Sequence, residues 1–103
     1  MNFYPLEKLH RLYDGYIKPF KVAGRDLLLV QDSGSAYLIS NRCPHMDAPL
    51  THASLRGGLL RCPMHGIEFD LHSGGARGGP AACLPSLEKF PIVYEGNQLG
   101  VML

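Results

Sequence analysis

Two short segments hold the residues able to do chemistry: Cys43-Pro44-His45 and, after a gap of sixteen residues, Cys62-Pro63-Met64-His65. Each joins one thiolate donor to one imidazole donor, and four such donors delivered by two loops are what a metal centre requires. Singly, these residues are unremarkable, since a cysteine is a good small core residue and a lone histidine is usually a surface or satisfied core group. As two matched pairs at short spacing they are hard to obtain by packing alone. Two kinds of centre fit. A single zinc ion would take all four donors in a tetrahedron and brace the fold. A pair of bridged irons would take the thiolates on one iron and the imidazoles on the other, and would carry electrons. With its ligand positions filled in this way, the iron pair leaves no open site for a substrate.

The elements that must position these loops read as β-structure. Runs at residues 16–22, 25–31 and 35–41 are separated by Ala23-Gly24 and by Asp32-Ser33-Gly34, both good tight-turn chemistry, and predict a three-stranded meander that ends just before Cys43. A short run at 59–61 leads into Cys62 and another at 67–70 leads away from His65. After the glycine-rich stretch 73–80 come runs at 87–94 and 98–103 around a Glu95-Gly96-Asn97 turn, with Pro91 marking an edge or a bulge. At the start of the chain, Leu6, Leu9 and Tyr13 recur at spacings of three and four, which predicts one or two helical turns. The expectation is an all-β protein, a small antiparallel sandwich or barrel, formed by residues 1–103 as a single domain.

Composition narrows the function classes. A chain of 103 residues, 46% hydrophobic and 18% charged, supports one modest core, so elaborate chemistry would need a cofactor or a partner. The formal charge is +1 and no Lys/Arg run exceeds two residues, which argues against nucleic acid as a partner. No apolar run exceeds four residues, far short of the ~18–20 that span a bilayer. The first eight residues lack a basic start followed by a hydrophobic block, so no secretory leader is expected and the protein should be soluble and cytoplasmic. Three cysteines, an odd number, favour metal ligation in a reducing compartment over a disulfide framework.

Cys43-x-His45, sixteen residues, then Cys62-x-x-His65 followed by Gly66 and Phe69-Asp70 resembles the double-loop pattern of the Rieske [2Fe-2S] family. Pro44 and Pro63 beside the cysteines, Ala48-Pro49-Leu50 after the first loop, and Gly79-Pro80 where the family has a third, covering loop extend the resemblance over nearly the whole chain. It implies a Rieske-like β sandwich or barrel whose two ligand loops form a cluster-binding subdomain over about residues 42–82. It also implies that Cys43 and Cys62 hold the inner iron, while His45 and His65 hold an outer iron from which the electron leaves. With two neutral imidazoles the oxidised centre has a formal charge of about zero, against about −2 for four thiolates, and so accepts an electron more readily.

Within that family the chain is similar to the soluble ferredoxins. Members from respiratory and photosynthetic complexes add two cysteines that clasp the loops with a disulfide, and a serine and a tyrosine whose hydroxyls donate to cluster sulfur. The matching positions here are Ala48 and Met64, then Ile67 and Phe69. The expected midpoint potential is therefore below 0 mV, toward the low end of the ~−150 to +300 mV range of such centres. The resemblance implies a monomeric carrier, not itself a catalyst, that takes one electron at a time from an NAD(P)H-dependent flavin reductase and passes it to a terminal oxygenase of the ring-hydroxylating type. The alternative is the small Rieske subunit of an assimilatory nitrite-reductase-type enzyme. Many oxygenase-associated ferredoxins are acidic and this chain is close to neutral, so docking is expected to use the apolar rim around His45 and His65.

The remaining candidates have quieter readings. Cys83 is expected to be a small core-facing residue beside Pro80-Ala81-Ala82. His10, His52 and His72 have no partner at ligand spacing and read as surface groups or as groups that support the ligands from behind, His52 being expected nearest the cluster because it follows the first loop closely. Met46 and Met64 are expected to shield the cluster from water, with simple loop packing an equal alternative for Met46. Arg42 and Arg61, each immediately before a ligand cysteine, either offset cluster charge or are solvated strand ends.

Overall fold

Residues 16–40 fold as their turn chemistry dictates. Strand β2 (Ile17–Val22) pairs antiparallel with β3 (Arg25–Asp32), and β3 with β4 (Ser35–Ser40). Both connections are two-residue turns with left-handed backbone at each position, φ 50° and 78° at Ala23-Gly24, then 53° and 79° at Ser33-Gly34. This is the turn whose twist matches that of paired strands. Asp32 stays in β3, so the second turn is one residue shorter than expected. The computed structural model describes residues 1–44, 47–64, 66–77 and 85–103.

The helical expectation at the start of the chain is wrong. Residues Phe3–Lys8 form strand β1, and only a single 3-10 turn, Leu9–Arg11, follows it. The reason lies at the other end of the sequence, where β11 (Gln98–Met102) supplies a hydrogen-bonding edge for β1 that outweighs a weak local periodicity. A bulge between Pro5 and Glu7 shifts the register of this pair. Gly100 of β11 permits the close approach, since a Cβ there would overlap the Tyr4 carbonyl and come within 2.8 Å of the Phe3 ring. The strand-like run at 87–94 splits into β9 (Lys89–Phe90), paired with β4, and β10 (Val93–Glu95), paired with β11. Pro91 lies between the two, where a residue without an N–H costs no ladder bond.

Three sheets result: β1-β11-β10, then β2-β3-β4-β9, and a third of short strands in sequence order. These are β5 (Ser54–Arg56), β6 (Leu59–Arg61), β7 (Glu68–Asp70) and β8 (Ala76–Arg77). The register of this last sheet aligns Leu55, Leu60, Phe69 and Ala76 in one row and Ser54, Arg61, Glu68 and Arg77 in the next. The first row faces the core and the second faces outward.

Strand β3 lies between two cores. Leu27 and Leu29 pack with Tyr16, Val22, Leu38, Leu99 and Val101 against the β1-β11-β10 sheet. Leu28 and Val30 point the other way and pack with Ile39, Leu50, Leu60, Phe69 and Leu71. All four are essentially inaccessible to solvent, which is why this strand is a continuous apolar run instead of an alternating one. Among the described residues no helix is long and apolar enough to cross a membrane.

Candidate metal centre

Cys43 follows β4 by three residues, and Cys62 follows β6 directly. Each opens a loop with the same hydrogen-bond signature. In the first, the Cys43 N–H donates to the Ala48 carbonyl at 2.7 Å, and the Asp47 N–H donates back to the Cys43 carbonyl at 2.7 Å. In the second, the Cys62 N–H donates to the Ile67 carbonyl at 2.8 Å, and the Gly66 N–H donates to the Cys62 carbonyl at 2.9 Å. In both, the residue four places after the cysteine is left-handed, with φ 56° at Asp47 and 67° at Gly66. A proline occupies the second position of each, and its ring presets φ for a tight turn. The two cysteines thus open loops with one backbone hydrogen-bond pattern used twice.

Both cysteines have 0% exposure and belong to the same core, surrounded by Leu50, Leu60, Phe69 and Leu71, with Ile67 packed against it. Thiol groups delivered at matching positions of two tight loops fit the thiolate half of a two-metal centre. Their apolar surroundings exclude water from that half. Among the described residues no group of three or more His, Cys, Asp or Glu side chains converges on one point. His45 and His65, the expected imidazole donors, lie outside the described residues, as do Met46, Cys83 and the Gly79-Pro80 segment.

The other sequence candidates are accounted for. His10, His52 and His72 are all exposed, as expected of surface groups. Met64, expected to shield the centre, is 67% exposed and belongs to the outer rim of the second loop. Ile67 and Phe69 present hydrocarbon to the cysteine core, Phe69 with 0% exposure. Arg42 and Arg61 are both exposed.

Several positioning residues had no clear signal in the sequence. Asn41 holds the far limb of the first loop, its Oδ1 accepting from the Leu50 N–H at 2.8 Å and its Nδ2 donating to Thr51 Oγ1 at 2.9 Å. Arg42 Nε lies 3.2 Å from Asp47 Oδ1 and so closes the first loop on itself. Asp32 Oδ2 accepts from the Gly58 N–H at 2.6 Å, which ties the β3–β4 turn to the β5–β6 turn. Asn and Asp at strand ends are the available hint for such roles, because their short side chains cap nearby backbone donors.

Comparison with known proteins supplies the chemical context. A family model described as the Rieske [2Fe-2S] domain matches residues 2–91. Apoptosis-inducing factor 3 of Mus musculus is 32% identical over 90 residues, covering 87% of this chain but only 14% of that protein. The ferredoxin component of the naphthalene 1,2-dioxygenase system of Pseudomonas aeruginosa is 27% identical over 95 residues, covering 92% of this chain and 89% of that one. Among solved structures, the ferredoxin of carbazole 1,9a-dioxygenase from Nocardioides aromaticivorans superposes with a TM-score of 0.83 at 27% identity, covering 98% of this chain and 97% of that one.

Proposed function

Because the chain belongs to the Rieske [2Fe-2S] domain family, its cofactor is one Rieske-type cluster, and we propose that it acts as the ferredoxin component of a multicomponent oxygenase system. In this reading Cys43 and Cys62 hold one iron, and His45 and His65 hold the other. When bound, the cluster supplies one reversible electron. The chain's own residues bury the two thiolates, brace both loops and keep water away from the sulfur side. Electrons come from an NAD(P)H-dependent flavin reductase and leave for a terminal oxygenase of the ring-hydroxylating type. The carrier is a cytoplasmic monomer and performs no substrate chemistry of its own.

The observation that carries this reading is the repeated cysteine loop, two buried thiols in loops of one hydrogen-bond pattern. The carrier role is favoured by coverage, because the match spans 89% of a dioxygenase ferredoxin component and 14% of the much longer apoptosis-inducing factor. Purified protein should be coloured, and after dithionite should give the low-average-g electron paramagnetic resonance signal of a mixed Cys/His cluster. Cys43→Ser, Cys62→Ser, His45→Ala or His65→Ala should each abolish that signal. A colourless protein that binds only zinc refutes the assignment.

A further inference from the structure

The loops opened by Cys43 and Cys62 share a hydrogen-bond pattern, yet their bases are closed by different means. The second loop caps a hairpin. Below it Arg61 pairs with Glu68, Leu60 with Phe69 and Leu59 with Asp70, so the ladder of β6 and β7 runs up to the bond between Cys62 and Ile67. The first loop instead joins two sheets, since β4 before it belongs to β2-β3-β4-β9 and β5 after it belongs to β5-β6-β7-β8. Among the described residues no backbone hydrogen bond joins residues 39–42 to residues 49–53. Two side-chain contacts stand in for the missing ladder. One is the Arg42–Asp47 ion pair, whose side chains are 65% and 72% exposed, and solvent leaves such a pair little strength. The other is Asn41, whose side-chain bonds are partly buried. Its own N–H donates to the Asp26 carbonyl of β3 at 2.9 Å, while its amide holds the Leu50 N–H and Thr51 Oγ1. Leu50 in turn packs in the core that contains both cysteines.

We propose that Asn41 is the positioning residue of the Cys43 loop, and that the cluster is lost and inserted by opening of this loop while the Cys62 loop stays fixed. The inference rests on the cluster assignment above and adds to it an order of events at the two cysteines. Burial does not set that order, because both cysteines have 0% exposure. Closure does. Parting the limbs of the second loop breaks a strand ladder, whereas parting those of the first breaks the two bonds of one side-chain amide and a screened ion pair. Asn41 touches no iron and acts through Leu50 and the loop backbone, as groups behind metal ligands commonly do.

The holoprotein can be treated at neutral pH with an iron chelator and iodoacetamide together, following the visible absorption while alkylated cysteines are mapped by mass spectrometry. In the unmodified protein, alkylated Cys43 should appear ahead of alkylated Cys62 and in step with the first loss of colour. Asn41→Leu, of similar shape but without the amide, should speed bleaching about ten-fold. Asn41→Asp, which keeps an acceptor for the Leu50 N–H, should recover most of that loss. Arg42→Gln should have much the smaller effect, and so should Tyr16→Phe, a lesion in the core that contains neither cysteine. Alkylation of Cys62 first, or of both cysteines together, overturns the proposal without recourse to any variant. Equal acceleration by Asn41→Leu and Tyr16→Phe also overturns it, by making Asn41 an ordinary contributor to stability, as does bleaching of Asn41→Asp as fast as that of Asn41→Leu. If the purified protein holds no cluster, the cluster assignment fails and this proposal falls with it; if the cluster is present and the cysteines react in another order, only this proposal fails.

Discussion

At Ile67 and Phe69 the second loop presents hydrocarbon where the family resemblance would allow hydroxyl donors to cluster sulfur. A donor that binds the reduced, more negative state better raises the potential, and about 1.4 kcal/mol of such preference corresponds to about 60 mV for one electron. The midpoint should accordingly lie below 0 mV, and Ile67→Ser should raise it by tens of millivolts on the order of that conversion. Protein-film voltammetry measures both, and a wild-type value above about +200 mV contradicts the assignment. A second residue with a definite prediction is Glu7, whose side chain is only 8% exposed. The Tyr16 hydroxyl donates to it at 2.8 Å and the Lys8 N–H at 3.0 Å, while Lys18 and Arg11 each stand 3.9 Å away. The hydrogen bond from Tyr16, then that from Lys8, holds the carboxyl below its usual 4.5. A depressed folded value means that the ionised group stabilises the fold above pH 4.5 and that this contribution fades as pH falls through the folded value. Tyr16→Phe should therefore cost about 1–2 kcal/mol at neutral pH in urea unfolding, and distinctly less near pH 3.

Among the elements, the contacts that orient the β5–β8 sheet are few and specific. Asp32→Ala removes the acceptor for the Gly58 N–H and should destabilise the protein by about 1–2 kcal/mol, with amide exchange rising first in β5 and β6. Gly100→Ala forces a methyl group against the Tyr4 carbonyl and the Phe3 ring, and should lower stability by about 1–3 kcal/mol through separation of β1 from β11. How legible each element was depends on where its partner lies in the sequence. Strands β2 to β4 were readable because two-residue turns bind neighbours together and leave glycine as their mark. Strand β1 was not, because its partner β11 is nearly the whole chain away. Strand β8, of two residues, is too short to show alternation, and β5 is no longer than β6 and β7 but lacks a ligand loop beside it to mark its place. The two cysteine-bearing loops were legible by residue type and spacing alone. Asn41, Asp47 and Asp32 leave no such mark in the sequence, since two of them act on backbone amides, which no residue letter marks, and the third pairs with an arginine that reads equally well as a strand end.

Across the whole molecule the two cores have different dependencies. The one formed by Tyr16, Leu27, Leu29, Leu38, Leu99 and Val101 contains neither cysteine, whereas the other contains both. Removing the cluster by acid and chelator should consequently loosen the cysteine-bearing core first. Hydrogen exchange should then show lost protection at Leu60 and Phe69 while Leu29, Leu99 and Val101 stay slow; simultaneous loss at all five would show a single cooperative unit. Strand β3, shared by both cores, has a further consequence. Leu27, Leu28, Leu29 and Val30 are interchangeable in polarity, so sliding the strand by one residue would still bury oil on both faces. Its hydrophobicity therefore says how deeply to bury the strand but gives no address along it. The address is written in the two left-handed turns at its ends, and a single residue inserted into either would leave both cores greasy while carrying Asp32 out of phase with Gly58, a framing error that burial alone has no means to proofread.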